Sequence, residues 1–256
     1  AQTGDFFNAP FGFMGRAFDV MADARCEHHT FIIVTKRIER YREFINWAGE
    51  CWPGDSPMSV CLEVTGYIPN VWLVVTAENQ KRAEERIPEL FRCDVAVRGV
   101  SLEPLLGRVD LTGFTSRAGA RCPACGLKFG HDALVGGTGC RGLDWVILGG
   151  ESGPEARPMH PNDVRKVRDD CGAAGVAFWF KQWGHFLHKS VAAEQHPEWH
   201  RWSGEDYLDV GKKAAGNVLD GKVWEEYPEP RPLRPFDTGV RPYSGCEGEA
   251  RSGHIV

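Results

Sequence analysis

The chain has 256 residues, 42% of them hydrophobic and 25% charged, with a net charge of −5. That length and balance suit one α/β domain with appendages or two small domains, and a negative net charge argues against broad, non-specific binding to nucleic acid or anionic membranes. No apolar run reaches the roughly 20 residues of a membrane span, no export signal is visible, and nine scattered cysteines imply reduced or metal-bound thiols, so a cytoplasmic protein is expected.

In chain order, Gly12 to Arg25 carries Phe13, Met14, Ala17, Phe18, Val20 and Met21 at mostly helical spacing. His29 to Val34 is a β-branched run that stops at Thr35-Lys36-Arg37. A helix with Ile38, Tyr41, Phe44, Ile45 and Trp47 on one stripe follows, and Cys51 to Pro57 reads as a turn-rich link. The plan repeats with a strand at Val71 to Val75, a polar stop at Glu78-Asn79 and an amphipathic helix from Gln80 to Phe91. A third strand, Val95 to Val100, ends in Ser101-Leu102-Glu103-Pro104.

The fourth strand, Trp145 to Leu148, is a continuous apolar run and therefore buried on both faces. It stops at Gly149-Gly150, where a backbone turns sharply or approaches a ligand closely. Glu151, Ser152 and Arg157 follow within seven residues, ahead of a helix over Pro161 to Ala174 with Gly175 as its stop. The fifth strand, Val176 to Phe180, ends in Lys181-Gln182-Trp183-Gly184. Beyond it the pattern dissolves into histidines, tryptophans and a Pro/Gly-rich tail. Gly211 to Gly216 reads as a basic loop, without the Gly-x₄-Gly-Lys-Ser/Thr pattern of a P-loop, and the last twenty or so residues read as a loose terminus.

Strands alternating with helices imply a parallel sheet with right-handed crossovers, which sets all five polar stops at one sheet edge. The expected fold is α/β: a partial (β/α) barrel of about five parallel strands over residues 1–187, interrupted by a cysteine-rich insert at 112–142 and followed by an extension at 188–256. Pattern alone does not separate a piece of a barrel from an open doubly wound sheet. Ligands of α/β proteins bind at the C-terminal strand ends. The expected binding residues are therefore Lys36, Arg37, Glu78, Asn79, Glu103, Glu151, Ser152, Arg157, Lys181 and Gln182. Carboxylates there would meet ammonium or hydroxyl groups, and Arg157 with Lys181 would meet phosphate or carboxylate. Structural ion pairs among the same residues explain them equally well. Trp179, Trp183, Trp199 and Trp202 are candidates for stacking on a nucleobase or for core packing.

Within the insert, Cys122-Pro123-Ala124-Cys125 is a tight turn able to supply half of a tetrahedral zinc site, with His131 and Cys140 completing it. Four protein ligands leave no open position, so such a zinc would be structural. Cys26, Cys51, Cys61, Cys93, Cys171 and Cys246 lack ligand spacing and read as ordinary thiols.

Several segments in one order carry a resemblance. They are Val34-Thr35-Lys36-Arg37, Val71-Trp72-Leu73 with Glu78-Asn79-Gln80, and Ser101 to Gly107. Gly149 to Gly153 with Ala156 to Pro161, Phe180 to Gly184, and Gly211 to Gly216 continue the series. Together they resemble the phage and plasmid family of three-Cys-motif proteins, a domain of unknown function, over about Asp5 to Tyr227. The resemblance implies a radical-S-adenosylmethionine-like, TIM-like (β/α) barrel. The family's N-terminal Cys-x₂-Cys-Tyr run has no match here, so S-adenosylmethionine and an iron–sulfur cluster are implied only if an N-terminal part or partner protein supplies the cluster ligands. A nucleotide or nucleic-acid substrate is the family-level expectation, and homo-oligomerisation is a further one. The competing expectation is a non-catalytic, zinc-stapled binding or assembly protein.

Overall fold

The computed structural model describes residues 4–112, 132–137, 140–153, 155–196 and 206–230. Its centre is a five-stranded parallel sheet of β1 (Phe31–Thr35), β2 (Val71–Thr76), β3 (Val97–Leu102), β4 (Trp145–Gly149) and β5 (Ala177–Gln182), in sequential spatial order. The sheet is open, so the expected barrel curvature does not close into a barrel: β1 and β5 are separate edges with no pairing between them.

The helices among the described residues are α1 (Phe11–Ala22), α2 (Ile38–Cys51), α3 (Pro57–Thr65), α4 (Gln80–Phe91), α5 (Pro161–Ala174), α6 (Lys189–Gln195) and α7 (Gly211–Ala215). The first predicted helix thus stops at Ala22, and its remainder, Ala24–Cys26, is a 3-10 turn whose leading Asp23 accepts from Arg25 N–H. The link from Cys51 to Pro57 is turn-rich as expected, and it leads into a helix that the pattern did not reveal, α3, capped by Ser56, opened by Pro57 and closed by left-handed Gly66. The expected loop at Gly211 to Gly216 is mostly the short helix α7.

Successive crossovers in sequential order with one hand put every connecting helix on the same side of the sheet. The side-chain alternation shows this. Ile33, Leu73, Val75, Val100, Leu102, Val146, Leu148, Phe178 and Phe180 form one core with Phe18 of α1, Phe44 of α2, Ile87 of α4 and Val164 of α5. The intervening residues Trp72, Val74, Val97 and Trp145 form a second, smaller cluster that contains no helix residue, with Ile147, Ala177 and Trp179 packed against it. At roughly 25 cal/mol per Å² of apolar surface, the first cluster is the dominant source of stability.

The described residues after Gly184 carry more regular structure than their sequence pattern implied. Phe186–His188 pairs antiparallel with Tyr207–Asp209, and Val218–Leu219 with Lys222–Val223. Val191, Ala192, Leu208, Ala215 and Leu219 join the main core. Trp224 and Glu226 then run along the outer edge of β5: Phe180 N–H donates to Trp224 O at 2.9 Å, and Phe178 N–H to the Glu226 carboxylate at 3.0 Å. This strap covers the β5 edge.

The insert leaves and rejoins the fold at one place, since Ala133 N–H donates to Leu111 O at 2.8 Å and Leu143 N–H to Ala133 O at 2.8 Å. Cys122, Cys125 and His131 lie outside the described residues, as does the side chain of Cys140. Among the described residues no cluster of three or more metal-ligating side chains occurs. No described helix is long and apolar enough to cross a membrane.

Candidate functional site

The register of the sheet sorts its helix-free face into rows. Val34, Val74, Gly99, Trp145 and Ala177 share one row, and the next toward the C-terminal ends holds Thr76, Ser101, Ile147 and Trp179. The first is an apolar floor, with a dent at Gly99, where an added Cβ would stand 2.9 Å from a Val74 methyl. The second places two buried hydroxyls side by side, neither with a side-chain hydrogen bond among the described residues. The charged residues begin above them, at the strand ends.

Three ion-paired groups make up that rim. In the first, Glu78 accepts from Arg86 of α4 at 2.9 Å and faces Lys36 at 3.7 Å. Burial pushes its carboxyl up, but its own backbone N–H and the Arg86 and Lys36 cations outweigh this and hold it below the ordinary value. Lys36 is itself positioned by Asp5, whose carboxylate accepts from Lys36 N–H at 2.7 Å and from the Thr35 hydroxyl at 2.8 Å. In the second, Glu103 takes Lys181 at 2.9 Å and the Gln182 amide at 3.4 Å, its side chain lying across Gly149, where a Cβ would meet it at 3.3 Å. In the third, Glu151 holds the Arg157 guanidinium through both oxygens at 2.8 Å and accepts Arg157 N–H at 2.9 Å. Hydrogen bonds from the Arg157 side chain and backbone hold the Glu151 carboxyl down at about 2. The Gln182 amide joins the last two groups, donating to Glu103, to Gly150 O and to the Ser152 hydroxyl at 3.3–3.4 Å.

Eight of the ten expected residues therefore fall into these groups. The other two do not. Asn79 is the N-cap of α4, its side chain accepting from Arg82 N–H at 3.1 Å, which gives it a structural role. Arg37 is exposed and makes no side-chain hydrogen bond or ion pair among the described residues. The expected binding set left out Asp5, Arg86, Thr76 and Ser101, although the last two belong to the polar stops of β2 and β3. The two hydroxyls had a signal, because period-two alternation from Trp72 and Val97 puts both on the face opposite the helix-packed core. Arg86 had none, since an arginine on an amphipathic helix ordinarily faces water. Trp183 is buried with its indole N–H on Val218 O, and Trp179 packs edge-on against Tyr227, so both serve packing; Trp199 and Trp202 lie outside the described residues.

In the Lys36–Glu78, Lys181–Glu103 and Arg157–Glu151 pairs the cation is the more exposed partner, whereas Arg86, at 14%, is less exposed than Glu78. Lys36 is 54% exposed against 19% for Glu78, Lys181 50% against 22% for Glu103, and Arg157 61% against 27% for Glu151. The carboxylates are thus holders and the cations the presented groups. Beside the third pair lies a cavity of about 460 Å³ lined by Glu151, Ser152, Gly153, Glu155, Ala156 and Arg157.

A singly wound parallel sheet with charged groups gathered at its C-terminal edge defines an α/β protein. Within that class, residues 1–228 match the family described as protein of unknown function DUF5131, and the chain belongs to it. No curated protein and no solved structure matches the chain.

Proposed function

We propose that the C-terminal edge of the sheet binds an anionic ligand of the nucleotide class, as the substrate-holding part of a radical-S-adenosylmethionine-like enzyme. The observation that carries this reading is the orientation of the rim pairs. Half-buried carboxylates fix Lys36, Lys181 and Arg157 with their charge toward solvent, which suits phosphate or carboxylate recognition. The Thr76 and Ser101 hydroxyls below them offer donors and acceptors to a ring or sugar. Glu78 and Glu151 stay ionised at neutral pH, so they are not proton donors there; their work is positioning. Iron–sulfur chemistry and S-adenosylmethionine would enter with cluster cysteines on an N-terminal part or partner protein. Zinc at Cys122, Cys125, His131 and Cys140 would staple the insert and take no part in the site.

Calorimetric titration with inorganic phosphate, adenosine monophosphate and adenosine triphosphate tests the reading. Binding is expected to weaken as salt rises, and Arg157→Ala and Lys181→Ala are each expected to weaken it about tenfold. Absence of heat with all three anions, or unchanged affinity in both variants, overturns it.

A further inference from the structure

The Gln182 side chain carries an unsatisfied atom in the middle of the rim. It is only 4% exposed, and its Nε2 faces Glu103 Oε1 at 3.4 Å, Gly150 O at 3.3 Å and Ser152 Oγ at 3.3 Å. A carboxylate and a backbone carbonyl only accept, so these two fix which way the amide lies. Turned over, it would set oxygen against oxygen twice. Its Oε1 is therefore a true acceptor, and it is buried with no hydrogen-bond partner among the described residues. A buried acceptor without a donor destabilises a fold and is rare, so one kept inside a charged rim calls for a donor from outside the chain.

That amide is reached through the cavity of about 460 Å³ beside the third ion pair, a size within the roughly 300–1,000 Å³ of small-molecule sites. Ser152 lines the cavity, is exposed, and touches Gln182 Nε2 through its hydroxyl. Glu103 is held by Lys181, whereas the Ser152 hydroxyl leaves the amide by rotation about a single bond. Arg157 lines the same cavity, and Lys181 is the chain neighbour of Gln182. The cations and the empty acceptor thus lie together. Acceptors already outnumber the hydrogens on Nε2, so what this amide has left to offer a ligand is acceptance alone.

We propose that Gln182 Oε1 determines specificity by accepting a hydrogen bond from an exocyclic amino group on the ligand's base. The assignment rests on the anionic-nucleotide reading of the rim: Arg157 and Lys181 take phosphate, and the base enters the cavity with its amino group toward Gln182. An amino group brings two N–H donors, one for Gln182 Oε1 and one for the Ser152 hydroxyl or Glu103 carboxylate beside it. A base with a carbonyl at that point would set acceptor against acceptor, and one with a C–H would leave Oε1 unpaired. Sites built to hydrogen-bond a ligand N–H reject analogues lacking it far more strongly than apolar pockets reject a missing methylene.

Calorimetric titration with matched nucleotides tests the assignment. The pairs are adenosine and purine riboside monophosphates, cytidine and 2-pyrimidinone riboside monophosphates, and guanosine and inosine monophosphates. In each pair the second member lacks only the amino group. The amino member of at least one pair is expected to bind about tenfold or more tighter, and this preference is expected to disappear in Gln182→Met. In nitrogen–proton spectra of the wild-type protein, the Gln182 side-chain amide signal should shift with that nucleotide and not with its analogue. That readout decides the matter even if Gln182→Met does not fold. Equal affinity within every pair overturns the proposal while leaving the anion reading intact, and assigns the acceptor to a bound water. A preference that survives in Gln182→Met, or an amide signal that does not move, overturns it too, since another acceptor would be reading the amine. Failure of inorganic phosphate and every nucleotide to bind overturns both.

Discussion

A methyl group on Gly150 would stand 1.9 Å from the Trp183 carbonyl oxygen, and Gly150 N–H donates to Gln182 O at 2.9 Å. The glycine therefore lets two βα loops touch backbone to backbone, and the close approach anticipated for a ligand is made by the protein itself. Gly150→Ala is expected to destabilise the fold by more than about 2 kcal/mol, measured as a shift in urea midpoint, because a backbone carbonyl has no rotamer in which to move aside. Gly153, whose φ of 115° suits glycine but whose surroundings are open, should respond through backbone strain alone. At this scale the sequence revealed which residues carry charge at the strand ends. It did not reveal which member of each pair faces outward. That depends on the Arg86, Asp5 and Gln182 contacts, made by residues 8, 31 and 79 positions from their partners.

Helix boundaries followed local chemistry where that chemistry was strong. The expected spans of α4 and α5 coincide with those found, because Asn79 caps one, and Pro161 and Gly175 bracket the other. α3 was hidden although Ser56-Pro57 and Gly66 mark its ends, since its nine residues carry little amphipathic pattern. Two helices start on histidine. His160 Nδ1 accepts from Asn162 N–H at 3.2 Å and His188 Nδ1 from Ser190 N–H at 3.1 Å, with the rings 5.3 Å apart. Burial and then the facing His160 lower the His188 pKa from its ordinary 6.5, with Lys189 and Arg165 acting in the same direction and Asp206 opposing. The unfolded chain thus binds the proton more readily than the folded one. The stability from this contact is complete above about pH 6.5 and is lost as pH falls through the lowered folded value. Wild-type protein should lose more stability between about pH 7.5 and about pH 5.5 than His188→Asn, which retains a capping side chain that does not titrate. Equal losses in urea denaturation would refute the assignment.

For the molecule as a whole, the alternation of strands and helices was enough to expect five parallel strands with their polar ends together. Closure was not legible, because the difference between an open sheet and a barrel lies in strand tilt and edge pairing, which hydrophobic period does not encode. Nor was the strap on β5 legible: it depends on Trp224 and Glu226, which sit in a polar, proline-flanked stretch with no strand signature. The same limit applies to the extension, whose buried Leu208, Ala215 and Leu219 are isolated apolar residues rather than a periodic set.

The hydrogen bond from Ala133 to Leu111 has an engineering consequence. Because the chain departs and returns at the same point, the length in between enters the folding free energy mainly through loop closure, which changes by only about 0.6 kcal/mol per doubling. Replacing residues 113–131 by a short glycine–serine link is expected to leave the thermal midpoint of the sheet nearly unchanged while removing any bound zinc, as read by calorimetry and elemental analysis. A large fall in the midpoint would show that the insert carries weight in the core. If the midpoint holds, this junction is a port: a place where a reporter or foreign domain can be grafted without disturbing the charged rim on the strands either side of it.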